Sequence, residues 1–136
     1  MTGKPQQATG YEARDTELAE MILLEAWGCL GDFHTFLVLA GGLVPRYLIP
    51  QEGGDTRHVP QHCGTMDVDL GIVEGLGLAL DRPLQVRIEG TTLSGARTVE
   101  TVNVCRPVPF VVLKALAFEK RREPKDAYDL VYLLRF

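Results

Sequence analysis

Three features are missing from this chain, and each absence excludes a class of protein. The cysteines are few and widely spaced, which argues against a disulfide framework and predicts a reducing, cytoplasmic compartment; they are Cys29, Cys63 and Cys105. No apolar run approaches the length of about 18 residues that a membrane span needs, so no membrane segment is expected. Residues 1–10 have neither the basic start nor the apolar core of a signal peptide, and we expect this polar stretch to be flexible.

Composition places the rest of the chain among small globular proteins. It has 136 residues, 46% hydrophobic and 24% charged, which is enough for one proper core, and we predict a single domain over residues 11–136. The net charge of −4 argues against a nucleic-acid partner for the molecule as a whole. The charge is uneven, however, because residues 12–32 are rich in acids and residues 114–125 are rich in bases.

Hydrophobic periodicity, glycine and proline predict the order of elements. Helices are expected at 12–30, 43–49, 109–123 and 125–134, and strands at 35–40, 65–72, 84–89 and 98–105, with 73–82 ambiguous. These elements predict an α+β (mixed α/β) layout, in which helices flank a small mixed β-sheet.

Two acids interrupt the apolar strand predicted at 65–72. Side chains alternate along a strand, so Asp67 and Asp69 point to the same side. Paired carboxylates repel unless a cation lies between them, and Mg²⁺ or Mn²⁺ is the usual choice beside phosphates. The pair therefore suggests metal-assisted phosphoryl or nucleotidyl transfer, and the alternative is a solvated strand edge with two surface acids.

A glycine pair, Gly41-Gly42, ends the apolar run 36–40 and precedes a short helix in which Pro45 occupies the first turn. A strand, a glycine turn and a helix start favour anion binding, because the backbone comes close and amides point at a phosphate. No Gly-Lys-Ser/Thr follows, so this is not a Walker-type loop.

Charged residues with helical spacing mark the last third of the chain. Lys114 stands in an otherwise apolar turn, and Arg121 lies seven residues later on the same helix face. Such a lysine either snorkels to water or reaches a specific anion. Asp126 and Asp129 share a face of the last helix, where Asp126 also complements the helix dipole.

Together these motifs resemble the polymerase-beta-type nucleotidyltransferase superfamily, most closely its small abortive-infection (AbiEii-type) toxin branch. The resemblance covers roughly residues 34–136. It rests on the Gly41-Gly42 turn, the Thr65-Met66-Asp67-Val68-Asp69-Leu70 strand, the lysine-bearing helix of Lys114, and the Lys125-Asp126-Ala127-Tyr128-Asp129-Leu130 segment. The last segment is the most specific, because it matches in residue type, order and spacing.

The resemblance implies roles for individual residues. The catalytic residues would be Asp67, Asp69, Lys114 and Asp126. The nucleotide would be bound by Gly41, Gly42, Thr65, Lys114 and Arg121. The metal, Mg²⁺ or Mn²⁺, would be bound by Asp67, Asp69 and a third acid. The activity implied is transfer of a nucleoside monophosphate from a nucleoside triphosphate to an RNA, such as a tRNA, or to a protein. An antitoxin protein is an implied partner.

The sequence departs from the family pattern at two points. Between Gly42 and Asp67 there are 24 residues, more than in many members of the family. The fold can absorb the difference, because lengthening a surface loop costs little entropy. No acid-bearing strand follows directly after Asp69, so Glu89 and Glu100 are the candidates for the third carboxylate, and we assign Glu89. Each is also explained as the polar side of an alternating strand.

Other interpretations remain open at this stage. A non-catalytic nucleotide- or partner-binding module of the same fold, and a metal-dependent phosphohydrolase, both use the same residues. His58, His62 and Cys63 have the spacing of a partial zinc site, but a fourth ligand has no obvious source. The sequence does not choose the nucleotide, the acceptor or the oligomeric state.

Overall fold

In the computed structural model, residues 13–49 and 77–135 are described. The elements, in chain order, are α1 (Ala13–Cys29), a 3₁₀ helix (Gly31–Phe36), α2 (Val44–Leu48), α3 (Gly77–Leu80), β1 (Leu84–Thr91), β2 (Arg97–Val104), α4 (Pro107–Arg121) and α5 (Pro124–Arg135). The predicted strand 65–72, with Thr65, Asp67 and Asp69, lies outside the described residues, as do residues 1–10 and the 58–63 segment.

A β-hairpin forms the sheet of the described region. β1 and β2 pair antiparallel, from Leu84 opposite Val104 to Thr91 opposite Arg97. The connecting turn needs a glycine, because Gly95 has a φ of +85°, which most residues avoid. The strands predicted at 84–89 and 98–105 are confirmed, and β1 continues two residues beyond the predicted end.

Helix α1 covers the inward face of this hairpin. Its Leu23, Leu24 and Trp27 are fully buried, and they belong to the same hydrophobic cluster as Val102 and Val104 of β2. The helix comes so close that a Cβ added at Gly90 would lie 2.6 Å from Leu24 Cδ1. The alternation of β1 therefore turns Ile88 and Gly90 toward α1, whereas Glu89 faces the other way.

The strand predicted over 35–40 is wrong for most of its length. Residues 31–36 form the 3₁₀ helix, and Leu39 alone makes a parallel bridge, with Val104. Asn103 explains the difference, because its side-chain amide donates to the carbonyls of His34 and Leu37, at 2.9 and 3.2 Å. These bonds satisfy the carbonyls without a continuous ladder, and Leu37–Leu39 are buried nonetheless.

The last two helices match the prediction most closely. Proline at the first position starts both, and α4 begins at Pro107, two residues earlier than expected. Arg122 ends α4 in the left-handed conformation, with φ of 54°, so that the chain reverses before Pro124. α5 then packs along α4.

The architecture confirms the predicted α+β class. Helices flank a small sheet that contains an antiparallel hairpin and one parallel bridge. Within the described ranges, no helix has the length and apolar character to cross a membrane.

Candidate functional site

Lys114 is a buried cation at the contact between α4 and α5. Its side chain is 9% exposed, and its Nζ lies 2.9 Å from Asp126 Oδ1 and 2.9 Å from Asp129 Oδ2. Both carboxylates are fully buried. The sequence pattern left two possibilities for this lysine, snorkelling to water or reaching a specific anion, and in the structure it lies against the protein's own aspartates.

Arg121 joins the same contact, as its position seven residues after Lys114 predicts. Its Nε and Nη2 donate to the two oxygens of Asp126 at 3.0 and 2.9 Å, in a forked geometry that only arginine provides. Lys125 pairs with Asp129 one turn along α5. We call these five residues, Lys114, Arg121, Lys125, Asp126 and Asp129, the charged cluster.

The electrostatics of the charged cluster keep Lys114 protonated. Burial alone would lower the pKa of Lys114, but the carboxylate of Asp129, and then that of Asp126, outweigh this and raise it above its usual range. The cluster holds three cations and two carboxylates, so it carries one positive charge in excess. A polyanion is therefore a better electrostatic match for its outer edge than a cation.

The Gly41-Gly42 turn is buried and leads directly into α2. Two amides at the start of this helix are used locally, since Val44 N–H donates to Gly41 O and Arg46 N–H to Leu43 O. α2 contacts α5, the helix that carries Asp126 and Asp129. Phosphate binding by Gly41 and Gly42 stays a prediction.

A second polar contact fixes α2 to α1. Tyr47 donates its hydroxyl to Glu20 at 2.6 Å, and Arg46 Nε lies 3.3 Å from the same Glu20 oxygen. Burial, together with the carboxylate of Glu20, raises the pKa of Tyr47 well above its usual range. Sequence reasoning missed this contact, because nothing in the local pattern couples residues 27 positions apart.

The acids suggested for the third metal ligand lie on the hairpin. Glu89 faces away from α1 and forms an ion pair with Arg97, at 2.9 Å, in which both side chains are largely exposed. Glu100 faces α1 and accepts a hydrogen bond from Thr98 Oγ1 at 2.9 Å. Whether Glu89 binds a metal stays a prediction, because its proposed partners Asp67 and Asp69 lie outside the described residues.

The donor atoms of the chain restrict where a divalent cation fits. In the two described ranges, no group of three or more His, Cys, Asp or Glu side chains is arranged to hold a metal. Asp126 and Asp129 already contact Lys114, Arg121 and Lys125, and a metal would compete with those cations. Asp67 and Asp69, the predicted Mg²⁺ ligands, lie outside the described residues, so metal binding by this pair stays a prediction.

No protein-family model matches the chain, and no curated protein or solved structure matches it significantly.

Asp129 is the site residue that sequence reasoning undervalued. Its place on the face of Asp126 was clear from the three-residue spacing, but no role was assigned to it. In the structure it is as buried as Asp126 and equally close to Lys114. An acid in an otherwise apolar stretch of an amphipathic helix was the available signal.

Proposed function

We propose that the chain is a metal-dependent nucleotidyltransferase-like domain, which transfers a nucleoside monophosphate from a nucleoside triphosphate to an RNA or protein hydroxyl. One observation carries the proposal. The two halves of the later motif, Lys114 on α4 and Asp126 on α5, meet in a buried ion pair, to which the half-exposed Arg121 also binds. The segment predicted to form the acid-bearing strand, which lies outside the described residues, and the glycine turn would supply the remaining groups.

The proposed roles follow from charge and position. The acceptor hydroxyl oxygen forms a bond to the α-phosphorus, the bond from that phosphorus to the β-phosphate oxygen breaks, and pyrophosphate leaves while the hydroxyl proton passes to water. Lys114 and Arg121 neutralise charge on the phosphates, which is where this chemistry needs most stabilisation. Asp126 holds both cations in place through its two oxygens.

Asp67 and Asp69 would hold Mg²⁺, with Mn²⁺ as the substitute and Glu89 as the third carboxylate. The metal, when bound, supplies positive charge and orients the triphosphate. The Gly41-Gly42 turn and Thr65 would contact the phosphates. None of the carboxylates of the charged cluster is required for the metal, which is consistent with their contacts to three cations.

Partners and compartment belong to the same proposal. The acceptor would be an RNA, such as a tRNA end, or a protein, and the domain would act as the toxin of a toxin–antitoxin pair. The thiols of Cys29 and Cys105 are both unpaired, which fits a reducing cytoplasm.

Incubation with each α-³²P-labelled ribonucleoside triphosphate, Mg²⁺ and total cellular RNA tests the proposal. Transfer leaves labelled monophosphate on an acceptor and releases pyrophosphate. A phosphohydrolase yields labelled free nucleotide without an adduct, and a non-catalytic binding module yields neither product. We expect an adduct with the wild type and none with Asp67→Asn; a complete absence of adduct with every nucleotide would overturn the proposal.

A further inference from the structure

Asp129 has no role in the function as proposed so far, yet it is among the most buried polar groups of the described chain. None of its side chain is exposed, and its Oδ2 lies 2.9 Å from Lys114 Nζ. Its other oxygen pairs with Lys125, in the preceding turn of the same helix. A buried carboxylate is costly unless it is paired, so its place beside Lys114 has to be explained.

The surroundings of Lys114 show what Asp129 adds. From α5, Asp126 and Asp129 face the ammonium group, and Lys125 stands behind Asp129. Helix α3 also packs on α4, but its sequence, Gly-Leu-Ala-Leu, contains no titratable side chain. On α4 itself, the ring of Phe110 lies 5.8 Å from the nitrogen, and Arg121 is tied to Asp126.

Two carboxylates fix a lysine nitrogen better than one does. A lysine side chain has four flexible bonds, and a single partner leaves its ammonium free to swing about that contact. Asp126 is shared with Arg121, so its oxygens satisfy two cations at once. Asp129 provides the second anchor, one helical turn away, at the same distance of 2.9 Å.

We propose that Asp129 is a positioning residue, which together with Asp126 holds the Lys114 ammonium in one place at the α4–α5 contact and aims it at the phosphates of the nucleotide. This inference rests on the proposed nucleotidyltransferase function. Asp129 acts through Lys114 and does not touch the substrate itself.

The electrostatics support this geometry. Among the groups that raise the pKa of Lys114, the carboxylate of Asp129 acts most strongly, followed by that of Asp126. Removing the Asp129 charge therefore lowers the pKa of Lys114 and, at the same time, frees its nitrogen to move.

The test compares Asp129→Asn, Lys114→Met, the double variant and a matched control. The control, Glu25→Gln, removes one carboxylate from α1, whose Oε2 is also buried, and so changes the net charge equally. Each protein is measured at a temperature where circular dichroism shows it to be folded. The readouts are the pKa of Lys114, from NMR of ¹⁵N-lysine, and the Kd for each ribonucleoside triphosphate with Mg²⁺.

We expect Asp129→Asn to lower the pKa of Lys114 and to weaken nucleotide binding by about 10- to 100-fold, the size of one weakened hydrogen bond to a charged group. Lys114→Met should weaken binding similarly, and the double variant no further, because both changes act on one group. Glu25→Gln should change neither readout. If Asp129→Asn does not fold, Asp129→Glu tests the inference in its place. This variant keeps the negative charge but moves it by one methylene, so we expect Lys114 to stay protonated while nucleotide binding weakens.

The outcomes separate the inference from the function it rests on. A wild type that transfers nucleotide while Asp129→Asn, or Asp129→Glu in its place, binds as tightly as the wild type overturns the inference and leaves the proposed function standing. The inference is also overturned if the losses of nucleotide affinity in Asp129→Asn and Lys114→Met add up in the double variant. A wild type that neither binds nor transfers any nucleotide overturns the proposed function, and an unchanged Lys114 pKa in Asp129→Asn then shows that Asp129 does not anchor the lysine.

Discussion

Two ion pairs of this protein have the same length and opposite surroundings. On the hairpin, Arg97 Nη2 and Glu89 Oε1 lie 2.9 Å apart, with side chains 80% and 49% exposed. Between α4 and α5, Lys114 Nζ lies 2.9 Å from Asp126 Oδ1, with side chains 9% and 1% exposed. Water screens the first pair and competes for its partners, whereas the second has lost its water.

The difference shows why distance alone does not identify a functional charge. An exposed pair forms wherever long charged side chains meet, and it contributes little to stability. In the charged cluster Lys114, Asp126 and Asp129 are desolvated, whereas Arg121 is half-exposed. Buried charges of this kind lower stability unless each one is compensated. The charged cluster is therefore the better candidate for function, although both pairs have the same N···O distance.

The largest effect is expected from Lys114→Met. This change leaves Asp126 and Asp129 buried with one cation fewer, and loss of one partner of a buried pair costs about 3–5 kcal/mol of the free energy of unfolding. Urea denaturation of the wild type and the variant measures it. A loss below about 1 kcal/mol, the range of exposed pairs, would remove the distinction between the two regions.

The difference in unfolding free energy between the wild type and Lys114→Met should depend on pH. Because the folded pKa of Lys114 is raised, its stabilising contribution is complete below its ordinary value of 10.5 and is lost as the pH rises through the folded pKa. The gap in unfolding free energy between wild type and Lys114→Met should therefore stay constant from pH 7 to 10 and narrow above it. Narrowing already between pH 7 and 9 would contradict a raised pKa.

An intermediate effect is expected at the contact between α1 and α2. Glu20 and Arg46 have side chains 21% and 35% exposed, between the two extremes. Tyr47→Phe removes the hydroxyl that donates to Glu20, and hydrogen bonds to charged groups contribute about 1.5–3 kcal/mol. Because water partly reaches this contact, we expect the loss of unfolding free energy to lie near the lower end of that range. The same urea denaturation measures this loss. If it were as large as the loss in Lys114→Met, the size of the effect would not follow the burial of the pair.

The smallest effect belongs to the hairpin pair. Arg97→Met should change the free energy of unfolding by no more than about 1 kcal/mol, and this difference should shrink further in 1 M salt, where the screening length falls to about 3 Å. A loss of several kcal/mol that persists at high salt would show that exposure does not decide the strength of these pairs.

The sequence predicted the parts of the site that depend on local periodicity. Helical spacing placed Lys114 with Arg121, and Asp126 with Asp129, and the prolines located the starts of α4 and α5 to within two residues. The α+β class followed from the same periodicity.

What the sequence did not predict depends on contacts between distant residues. The partners of Lys114 are set by how α5 folds back on α4, which no spacing reveals. The strand expected over 35–40 is replaced because Asn103, more than sixty positions away, satisfies the carbonyl of Leu37 and that of His34 just before the predicted strand. The contact of Tyr47 with Glu20 is of the same kind.

The most direct test of the nucleotidyltransferase account is the gain in thermal stability on adding Mg²⁺ and nucleoside triphosphate, measured for the wild type and Asp69→Asn. A ligand at about 100 times its Kd stabilises the folded state by about 2.7 kcal/mol. We predict this gain for the wild type and its loss in Asp69→Asn. Without ligand, the variant should melt at or above the wild type, because one of two repelling charges is gone. A full ligand-induced gain in Asp69→Asn would contradict the account.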